Sequence, residues 1–526
     1  MNKDYDAIVV GGGLAGLTST AYLCRYGYRT LLCEKGSKTG GLVNTFWHEG
    51  FAFDAGIRAF ENSGIILPML KNLGIDLECT SNPVSIGIGD HWARITSRAS
   101  LQTYSAMLTG IFPENAADIA KIVEEIRKVM GYMDVLYGID NPLFIDNMQD
   151  PQYLLKTLLP WLVKYQLNIG KALRLDEPVN AYLQRFTDNQ ALTDMIAQHF
   201  FKQTPTFFAL SYFGLYLDYR YPKGGTGQLA QKMTDYILTA GGEIRLDTAI
   251  KHIDTAKSVV ITADGEALSY RKLVWAADQK ALYAAIDSPH TPQIENQRHL
   301  TEQGEGGDSI LTLFIGANLG LDYFENTCGA HAFFTPSMDG LSSLPAWEQA
   351  ASQGKTALLD WVGSYLALTT YEISCPALRD RTLAPEGKTG VVVSTLMDYR
   401  LVRHISDAGD YETFKQFSTD KILQTLEDSL FPEISKNISF AMCSTPLTIE
   451  RETGNAQGAI TGWAFTNKSM PAESRFTKIA NSIKTPSEDI FQCGQWTFSP
   501  SGLPISILTG KLAADAVKKA LKRVVA

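Results

Sequence analysis

The 526-residue sequence lacks the features of several large protein classes. Lys and Arg number 47 against 56 Asp and Glu, a formal net charge of −9. The chain therefore lacks the positive field that draws proteins to phosphate backbones, and we expect no nucleic-acid partner. Hydrophobic residues make up 45% and charged residues 20% of the chain. These are ordinary globular proportions, which exclude a wholly disordered chain.

Cysteine and histidine are scarce and scattered. The seven cysteines are an odd number without any CxxC pair, which argues against a disulfide framework and against a zinc site. The eight histidines show no ligand spacing, so we expect no metal, and His331 is interpreted as a structural histidine with satisfied hydrogen bonds. The sequence also has no Gly-x-Ser-x-Gly elbow that would indicate acyl transfer.

Long apolar runs are missing as well. The most apolar stretches, residues 153–167 and 310–321, are interrupted by lysines or fall short of the about 20 residues that a membrane-spanning helix needs. The first residues lead directly into a predicted strand, without the basic and apolar regions of a secretory signal. With the cysteine pattern, this predicts a cytoplasmic protein and leaves open a peripheral contact with the inner face of the membrane.

What the sequence does contain is a dinucleotide-binding pattern in residues 5–35. An apolar, β-branched run at 7–10 predicts a buried strand, and the segment GGGLAG that follows has the spacing GxGxxG. A helical pattern and a second strand at 29–33 come next, and the second strand ends at Glu34. Strand, glycines, helix, strand and acid in this order predict that a dinucleotide binds here.

Each position in the pattern has a physical role. Gly11 permits the tight turn, Gly13 lets the backbone approach a pyrophosphate, and Gly16 lets the helix pack closely against the strand. Glu34 is the predicted ligand of the ribose. The positive N-terminal end of the helix faces the anion. The first two residues of the helix, Leu14 and Ala15, are further predicted cofactor contacts.

Further glycine-rich segments follow. Residues 35–45 read KGSKTGGLVNT and residues 51–56 read FAFDAG. Later stretches are YPKGGTG at 221–227, GGEIRLDTAI at 241–250, LVWAAD at 273–278, and a predicted strand at 489–494 before SGLP at 501–504. These segments resemble the FAD-dependent carotenoid desaturase, carotenoid isomerase and retinol saturase family, which is phytoene desaturase-like and part of the flavin amine oxidase clan.

The resemblance implies an α/β fold and FAD as the cofactor. The fold would be a Rossmann-type FAD-binding domain (GR2-like) with an inserted mixed α+β cap domain for the substrate. We expect residues 1–90, 215–300 and 440–526 in the FAD-binding domain and residues 91–214 and 301–439 in the cap. The resemblance adds these cofactor contacts: Lys35, Gly41, Leu42, Asp54, Gly56, Ile250, Ala276, Gly494, Gln495, Gly502 and Leu503.

Some of these positions depart from the family pattern or have a specific expected role. Gln495 stands where many relatives have Asp, and Leu42 where relatives often have Arg. The helix that opens after Gly502 would stabilise negative charge on the reduced flavin. The stretch at 446–463 resembles one that passes the isoalloxazine, so the candidates near the flavin are Arg451, Asn455 and Trp463. The alternative for this stretch is a surface loop closed by an Arg–Glu pair.

The middle of the chain carries fewer signals. Residues 111–130 predict an amphipathic helix whose apolar stripe belongs to the core. Residues 308–316 and 390–396 predict strands of the cap. The Leu-rich segment 153–173 has two interpretations: an interfacial helix through which a lipid-dissolved substrate enters, or a buried helix pair broken at Pro160. We favour the buried pair.

The sequence therefore predicts an enzyme whose hydride chemistry is carried by FAD. The expected reaction is desaturation, saturation or isomerisation of a C–C or C=C bond in a hydrophobic polyene or isoprenoid-like substrate, by hydride transfer at flavin N5. One alternative is a flavin amine oxidase. Another, from a different class, is a non-catalytic prenyl- or lipid-binding protein of the same clan, which the full fingerprint with Glu34 disfavours. The electron donor or acceptor is not identified.

Overall fold

Two large sheets organise the molecule. The computed structural model describes residues 4–146, 151–288 and 291–523. The first sheet has eight strands, and its central part is parallel, in the order Glu243–Arg245, Thr30–Cys33, Tyr5–Val10, Ala267–Trp275. The remaining strands of this sheet are Ile250–Asp254, Val259–Thr262, Ile286–Ser288 and Ile490–Gln492.

The register of the parallel strands creates the edge at which a ligand can bind. Val10 lies opposite both Cys33 and Trp275. The three strands therefore end together, and Gly11, Glu34 and Ala276 follow them at one edge of the sheet. Open α/β sheets bind ligands outside the carboxyl ends of their strands. The apolar residues at 7–10 are buried because both faces of this part of the sheet are covered, one by helices and the other by antiparallel strands and helices.

The second sheet has seven strands and lies over the same edge. All but one of its neighbouring pairs are antiparallel. It contains both strands that the sequence predicted for the cap, with Ser309 opposite Met397. In spatial order its strands are Ile438–Ser444, Ser309–Ala317, Thr389–Met397, Tyr371–Ser374, His331–Thr335, Val84–Ile88 and His91–Ile95.

Two small antiparallel sheets lie beside the large ones. Thr45–His48 pairs with Phe51–Asp54. In the other, Tyr219–Pro222 is the central strand between Phe60–Glu61 and Cys79–Ser81. This three-stranded sheet sets Glu61 opposite Tyr219.

Helices cover the sheets and fill the space between them. The first helix, Leu14–Arg25, packs against the C-terminal helix, Leu503–Arg523, where a Cβ on Gly510 would come within 2.4 Å of the Ala15 carbonyl oxygen. The other α-helices are Ile66–Leu73, Ser100–Ile111, Ala116–Tyr137, Pro151–Tyr153, Leu159–Ala172, Val179–Leu183, Gln190–Ala197, Thr206–Leu215, Gly227–Thr239, Gln279–Ala285, Pro292–Gln303, Leu321–Thr327, Trp347–Ser352, Lys355–Leu368, Tyr399–Asp407, Tyr411–Ser429 and Pro446–Thr453.

The amphipathic helix of the cap is shifted from its predicted place. It begins at Ala116, after a 3₁₀ turn at Pro113–Asn115, and continues to Tyr137 instead of ending at Met130. The preceding helix already ends at Ile111, because Pro113 cannot continue it. The predicted stripe is buried, as a core face should be: Ile119, Ile122, Val123, Ile126 and Met130.

The prediction for residues 153–173 is wrong. Pro160 does not break the segment: a π-helical stretch at Leu154–Leu158 leads directly into the helix Leu159–Ala172. The helix is also not buried. Its exposed large apolar side chains are Leu155, Leu159, Leu162, Val163 and Leu167. No helix in the described part of the chain is long and apolar enough to span a membrane. The domain boundaries remain a prediction.

Candidate cofactor and substrate site

A cavity of about 940 Å³ lies where the carboxyl edge of the first sheet faces the second sheet. Its volume falls in the range of small-molecule sites, roughly 300–1,000 Å³. Most of the predicted cofactor contacts line it: Gly11, Gly13, Leu14, Ala15, Glu34, Lys35, Gly41, Leu42, Gly56, Ile250, Ala276, Gly494, Gln495, Gly502 and Leu503.

The glycines at one end leave room for an anion. Gly13 caps the first helix without any side-chain hydrogen bond, and a Cβ added to it would meet no neighbouring heavy atom within 4 Å. Gly11 has φ +104°, and a Cβ there would lie 2.8 Å from the Ala276 carbonyl oxygen. The turn therefore presents open backbone at the positive end of the helix, which fits a pyrophosphate.

Glu34 stands beside this turn. Its Oε2 accepts a hydrogen bond from the Gly12 N–H at 2.6 Å, and its Oε1 accepts one from the Gly36 N–H at 2.8 Å. These bonds fix the carboxylate at the cavity wall, where each oxygen keeps a further lone pair for a hydroxyl group. The geometry fits the predicted ribose contact.

Two predicted contacts do not reach the cavity. A Cβ on Gly16 would come within 1.9 Å of the Gly11 carbonyl oxygen, so Gly16 serves the close helix–strand packing that the sequence predicted for it. Asp54 is fully buried and its oxygens are occupied by the Thr226 N–H and hydroxyl, the Thr45 hydroxyl and the Tyr221 hydroxyl. Asp54 therefore ties three segments together and does not line the cavity.

The three candidates near the flavin lie in different places. Arg451 does not line the cavity: its side chain is 72% exposed and paired with Glu452 on the helix Pro446–Thr453. Trp463 is buried behind the cavity wall, where its Nε1–H donates to the Trp496 carbonyl at 2.9 Å. Asn455 alone of the three lines the cavity, and its Oδ1 accepts from Trp496 Nε1 at 3.2 Å.

The remainder of the lining carries aromatic and ionisable side chains that the sequence analysis missed. They come from segments far apart in the chain, so no motif joins them. The cluster of tyrosines at 212–221 was the one sequence feature that could have indicated this aromatic lining. These residues are Glu61, His199, Phe200, Phe201, Tyr212, Tyr216, Tyr219, His331, Phe333 and Glu372.

His331 is a satisfied structural histidine, as predicted. The Asn82 amide donates to its Nδ1 at 2.8 Å, and its Nε2–H donates to Glu372 Oε1 at 2.9 Å. Burial lowers the pKa of His331. Burial opposes the charge of Glu372, but the bond from His331 and the charges of Arg58 and Arg379 together leave the pKa of this carboxyl below its ordinary value. Among the described residues, no group of three or more potential ligands forms a metal site.

Parallel strand order, the glycine turn and the deep cavity at the strand ends define an α/β dinucleotide-binding oxidoreductase fold. The model of the flavin-containing amine oxidoreductase family matches residues 14–306. The chain belongs to this family. It is an FAD-dependent oxidoreductase, as the sequence predicted, and FAD is its cofactor.

The chain is similar along most of its length to enzymes with carotenoid or retinoid names. It is 22% identical to the prolycopene isomerase of Daucus carota, covering 87% of this chain and 72% of the relative. It is 22% identical to the all-trans-retinol 13,14-reductase of Danio rerio, covering 94% and 82%. It is 21% identical to the 4,4'-diapophytoene desaturase of Staphylococcus aureus, covering 98% and 99%.

Solved structures confirm the predicted α/β fold. An oxidoreductase from Methanosarcina mazei has a TM-score of 0.61 at 12% identity, with 98% of this chain and 99% of the other covered. Reduced UDP-galactopyranose mutase has a TM-score of 0.59 at 13% identity, with 98% and 94% covered.

Proposed function

We propose that this protein uses FAD to desaturate, saturate or isomerise a C–C or C=C bond of a hydrophobic polyene or isoprenoid-like substrate. One observation carries the proposal: a single cavity joins the glycine-lined cradle of the cofactor to an aromatic wall formed by the segment 200–219 and by Phe333 of the second sheet. An enclosed aromatic wall suits a conjugated or isoprenoid chain. The three relatives described above, whose names refer to prolycopene, retinol and diapophytoene, support the same substrate class.

The cofactor would be held from both ends. The backbone at Gly11 and Gly13 would receive the pyrophosphate, and Glu34 the ribose. The start of the C-terminal helix, at Gly502 and Leu503, would face the flavin. The flavin supplies hydride exchange when bound, and the protein binds, orients and shields the reacting carbons from water.

A second candidate function is amine oxidation. Glu61 and Glu372 place two carboxyl groups among the aromatic rings of the cavity, and carboxylates with aromatic faces bind cationic amines. We rank it second because the described relatives carry carotenoid or retinoid names. The open cradle beside Glu34 disfavours the third alternative, a lipid-binding protein without catalysis.

Anaerobic absorbance spectra of the FAD-loaded protein distinguish these functions. We expect a polyene in detergent micelles, namely prolycopene, all-trans-retinol or 4,4'-diapophytoene, to bleach the oxidised flavin or to reoxidise the dithionite-reduced flavin. Isomerisation would require the reduced form and leave its colour unchanged, while the polyene spectrum shifts. Bleaching by putrescine and by no polyene would instead establish the amine oxidase. Flavin unresponsive to every probe, with the polyenes recovered unchanged, would contradict the proposal.

We also propose that the helix at residues 151–172 rests on a lipid surface. Leu155, Leu159, Val163 and Leu167 are spaced four residues apart on one helical stripe, and each is more than half exposed. Lys156, Lys164 and Lys171 add positive charge along the helix, which suits anionic headgroups. A bilayer supplies both the apolar layer and the headgroups, so it is the occupant that this face fits.

A further inference from the structure

Glu61 is a carboxyl group of the cavity that no structural contact explains. Within the described residues its side chain makes no hydrogen bond to another side chain and no ion pair, and the only donor near it is its own backbone N–H. Glu34, by contrast, accepts from two backbone N–H groups, and Glu372 accepts from His331. Buried carboxyl groups are normally paired. A carboxyl group that lacks a side-chain partner and lines a ligand cavity indicates a partner that the chain itself does not supply.

Local structure aims Glu61 at the cavity. It lies in the two-residue strand Phe60–Glu61, where successive side chains point to opposite faces. Phe60 enters the hydrophobic core with Leu14 and Ile66. Glu61 therefore projects the other way, beside its cross-strand partner Tyr219, which also lines the cavity.

The position of Glu61 links the two parts of the cavity. A Cβ added to Gly502 would lie 3.8 Å from Glu61 Oε1. Gly502 immediately precedes the C-terminal helix, whose N-terminal end is the predicted neighbour of the flavin. On its other side Glu61 faces the aromatic wall, because Tyr212 and Tyr219 both experience its charge. The carboxyl thus stands between the cofactor cradle and the substrate wall.

The surroundings of Glu61 favour proton exchange near neutrality. Burial, with a smaller contribution from the charge of Asp218, raises the pKa of Glu61 to about 7, although the backbone N–H of Glu61 itself lowers it. The other titratable groups that face it are Tyr137, Tyr212 and Tyr219, whose own pKa values are raised by burial, so they stay neutral. Asp218 is itself held by the Ser63 N–H at 2.8 Å. The pKa of Glu61 places its change of charge near pH 7.

We propose that Glu61 exchanges the proton of the substrate carbon adjacent to the carbon that exchanges hydride. The inference rests on the proposed function and adds a catalytic residue to it. In a desaturation, one carbon releases a hydride that FAD accepts, and the neighbouring carbon releases a proton that the Glu61 carboxylate accepts. The electron pair of the second C–H bond becomes the C=C π bond. In a saturation the same groups run in reverse, and protonated Glu61 gives the proton to the carbon.

A first test needs no substrate. The absorption spectrum of bound oxidised flavin should show a one-proton step with a midpoint near pH 7, because the charge of Glu61 changes beside the ring. Glu61→Gln should bind FAD normally and lack the step, whereas Glu61→Asp should keep a step. Glu78→Gln, which alters a 71% exposed carboxylate, is the matched control and should behave as the wild type. A wild-type spectrum without the step, or the same step in Glu61→Gln, would overturn the proposal.

A second test measures the half-reaction between the flavin and whichever polyene reacts with the wild type. Positioned acid–base groups contribute roughly 10²–10⁴-fold. Glu61→Gln should therefore slow the reaction by roughly a hundredfold or more at unchanged FAD content, and Glu61→Asp should recover part of the rate. A Glu61→Gln rate within threefold of the wild type would refute the role of Glu61. If the wild type itself reacts with no polyene, the proposed function fails instead, so the two failures are distinguishable.

Discussion

At the residue scale, the glycine turn separates positions that serve the fold from positions that serve the cofactor. A Cβ added to Gly13 would meet no neighbouring atom. A Cβ added to Gly16 would collide with the carbonyl oxygen of Gly11. The sequence already predicted this division, with Gly13 at the pyrophosphate and Gly16 at the packing of the helix on its strand. The structure shows that the first faces the cavity and the second faces the strand.

We expect these two glycines to respond differently to the same substitution. Gly16→Ala should lower the free energy of unfolding of the apo-protein by about 3 kcal/mol, because the added methyl group forces the first helix away from its strand. Gly13→Ala should leave it within about 0.5 kcal/mol. Chemical denaturation of both apo-variants measures this, with Gly110→Ala, at a helical site with open space, as control. Equal losses in the two variants would contradict the assignment.

The aromatic wall also contains a histidine that should make stability depend on pH. Burial lowers the pKa of His199 from 6.5 to about 4. Above pH 6.5 the histidine is neutral in both states and its contribution is complete. As the pH falls from 6.5 towards 4, the unfolded chain takes up a proton that the folded protein does not, so the folded state loses stability.

The size of this effect is of order 2 kcal/mol. The drop in unfolding free energy between pH 7 and pH 4.5 should be larger by that amount in the wild type than in His199→Gln, which carries no titratable group. His252→Gln alters an exposed histidine and should leave the drop unchanged. An identical drop in wild type and His199→Gln would show that His199 is charged in the folded protein.

At the element scale, the sequence predicted the nucleotide-binding elements better than those of the cap. The fingerprint residues are neighbours in sequence and act through the backbone, so their pattern determines the local structure. Glu61 lies in the three-stranded sheet, His199 follows the end of a helix, and Glu372 lies in the second sheet. Only the packing of these three elements brings the side chains to one cavity. No local pattern records such a meeting, and the sequence analysis therefore missed the ionisable part of the cavity.

The exposed helix shows why apolar content alone does not indicate burial. Residues 153–173 are rich in leucine, and we expected them to lie in the interior. The structure instead attaches this helix through Trp161, whose Nε1–H donates to the Val135 carbonyl at 2.6 Å, and leaves the leucine stripe outside. A large exposed apolar face indicates an interaction site.

Removing part of this stripe should weaken binding to lipid without affecting the fold. We expect the double variant Leu159→Glu, Leu167→Glu to lose at least tenfold in partitioning to vesicles of mixed neutral and anionic phospholipid, measured by co-sedimentation. The flavin spectrum and thermal midpoint should stay as in the wild type, because both side chains are more than half exposed. The matched control is Leu238→Glu, another exposed leucine, on the helix Gly227–Thr239. Equal partitioning of wild type and double variant would rule out the membrane contact.

At the scale of the whole molecule, the activity depends on how the two sheets are placed. The parallel edge of the first sheet ends at the cofactor cradle, and the second sheet supplies Phe333 and Glu372 on the other side of the same cavity. The two sheets thereby enclose a space that neither forms by itself. The sequence predicted both sheets through a few of their strands, but the placement follows from packing between distant segments.

The central claim is that FAD occupies the cradle formed where the first strand turns into the first helix. Calorimetric titration of FAD into the apo-protein tests it most directly, with the wild type and Gly13→Ala compared side by side. We predict one site per chain in the wild type and at least a hundredfold weaker binding in Gly13→Ala, about 3 kcal/mol. Binding of equal strength in both proteins, or no heat of binding in the wild type, would contradict the claim.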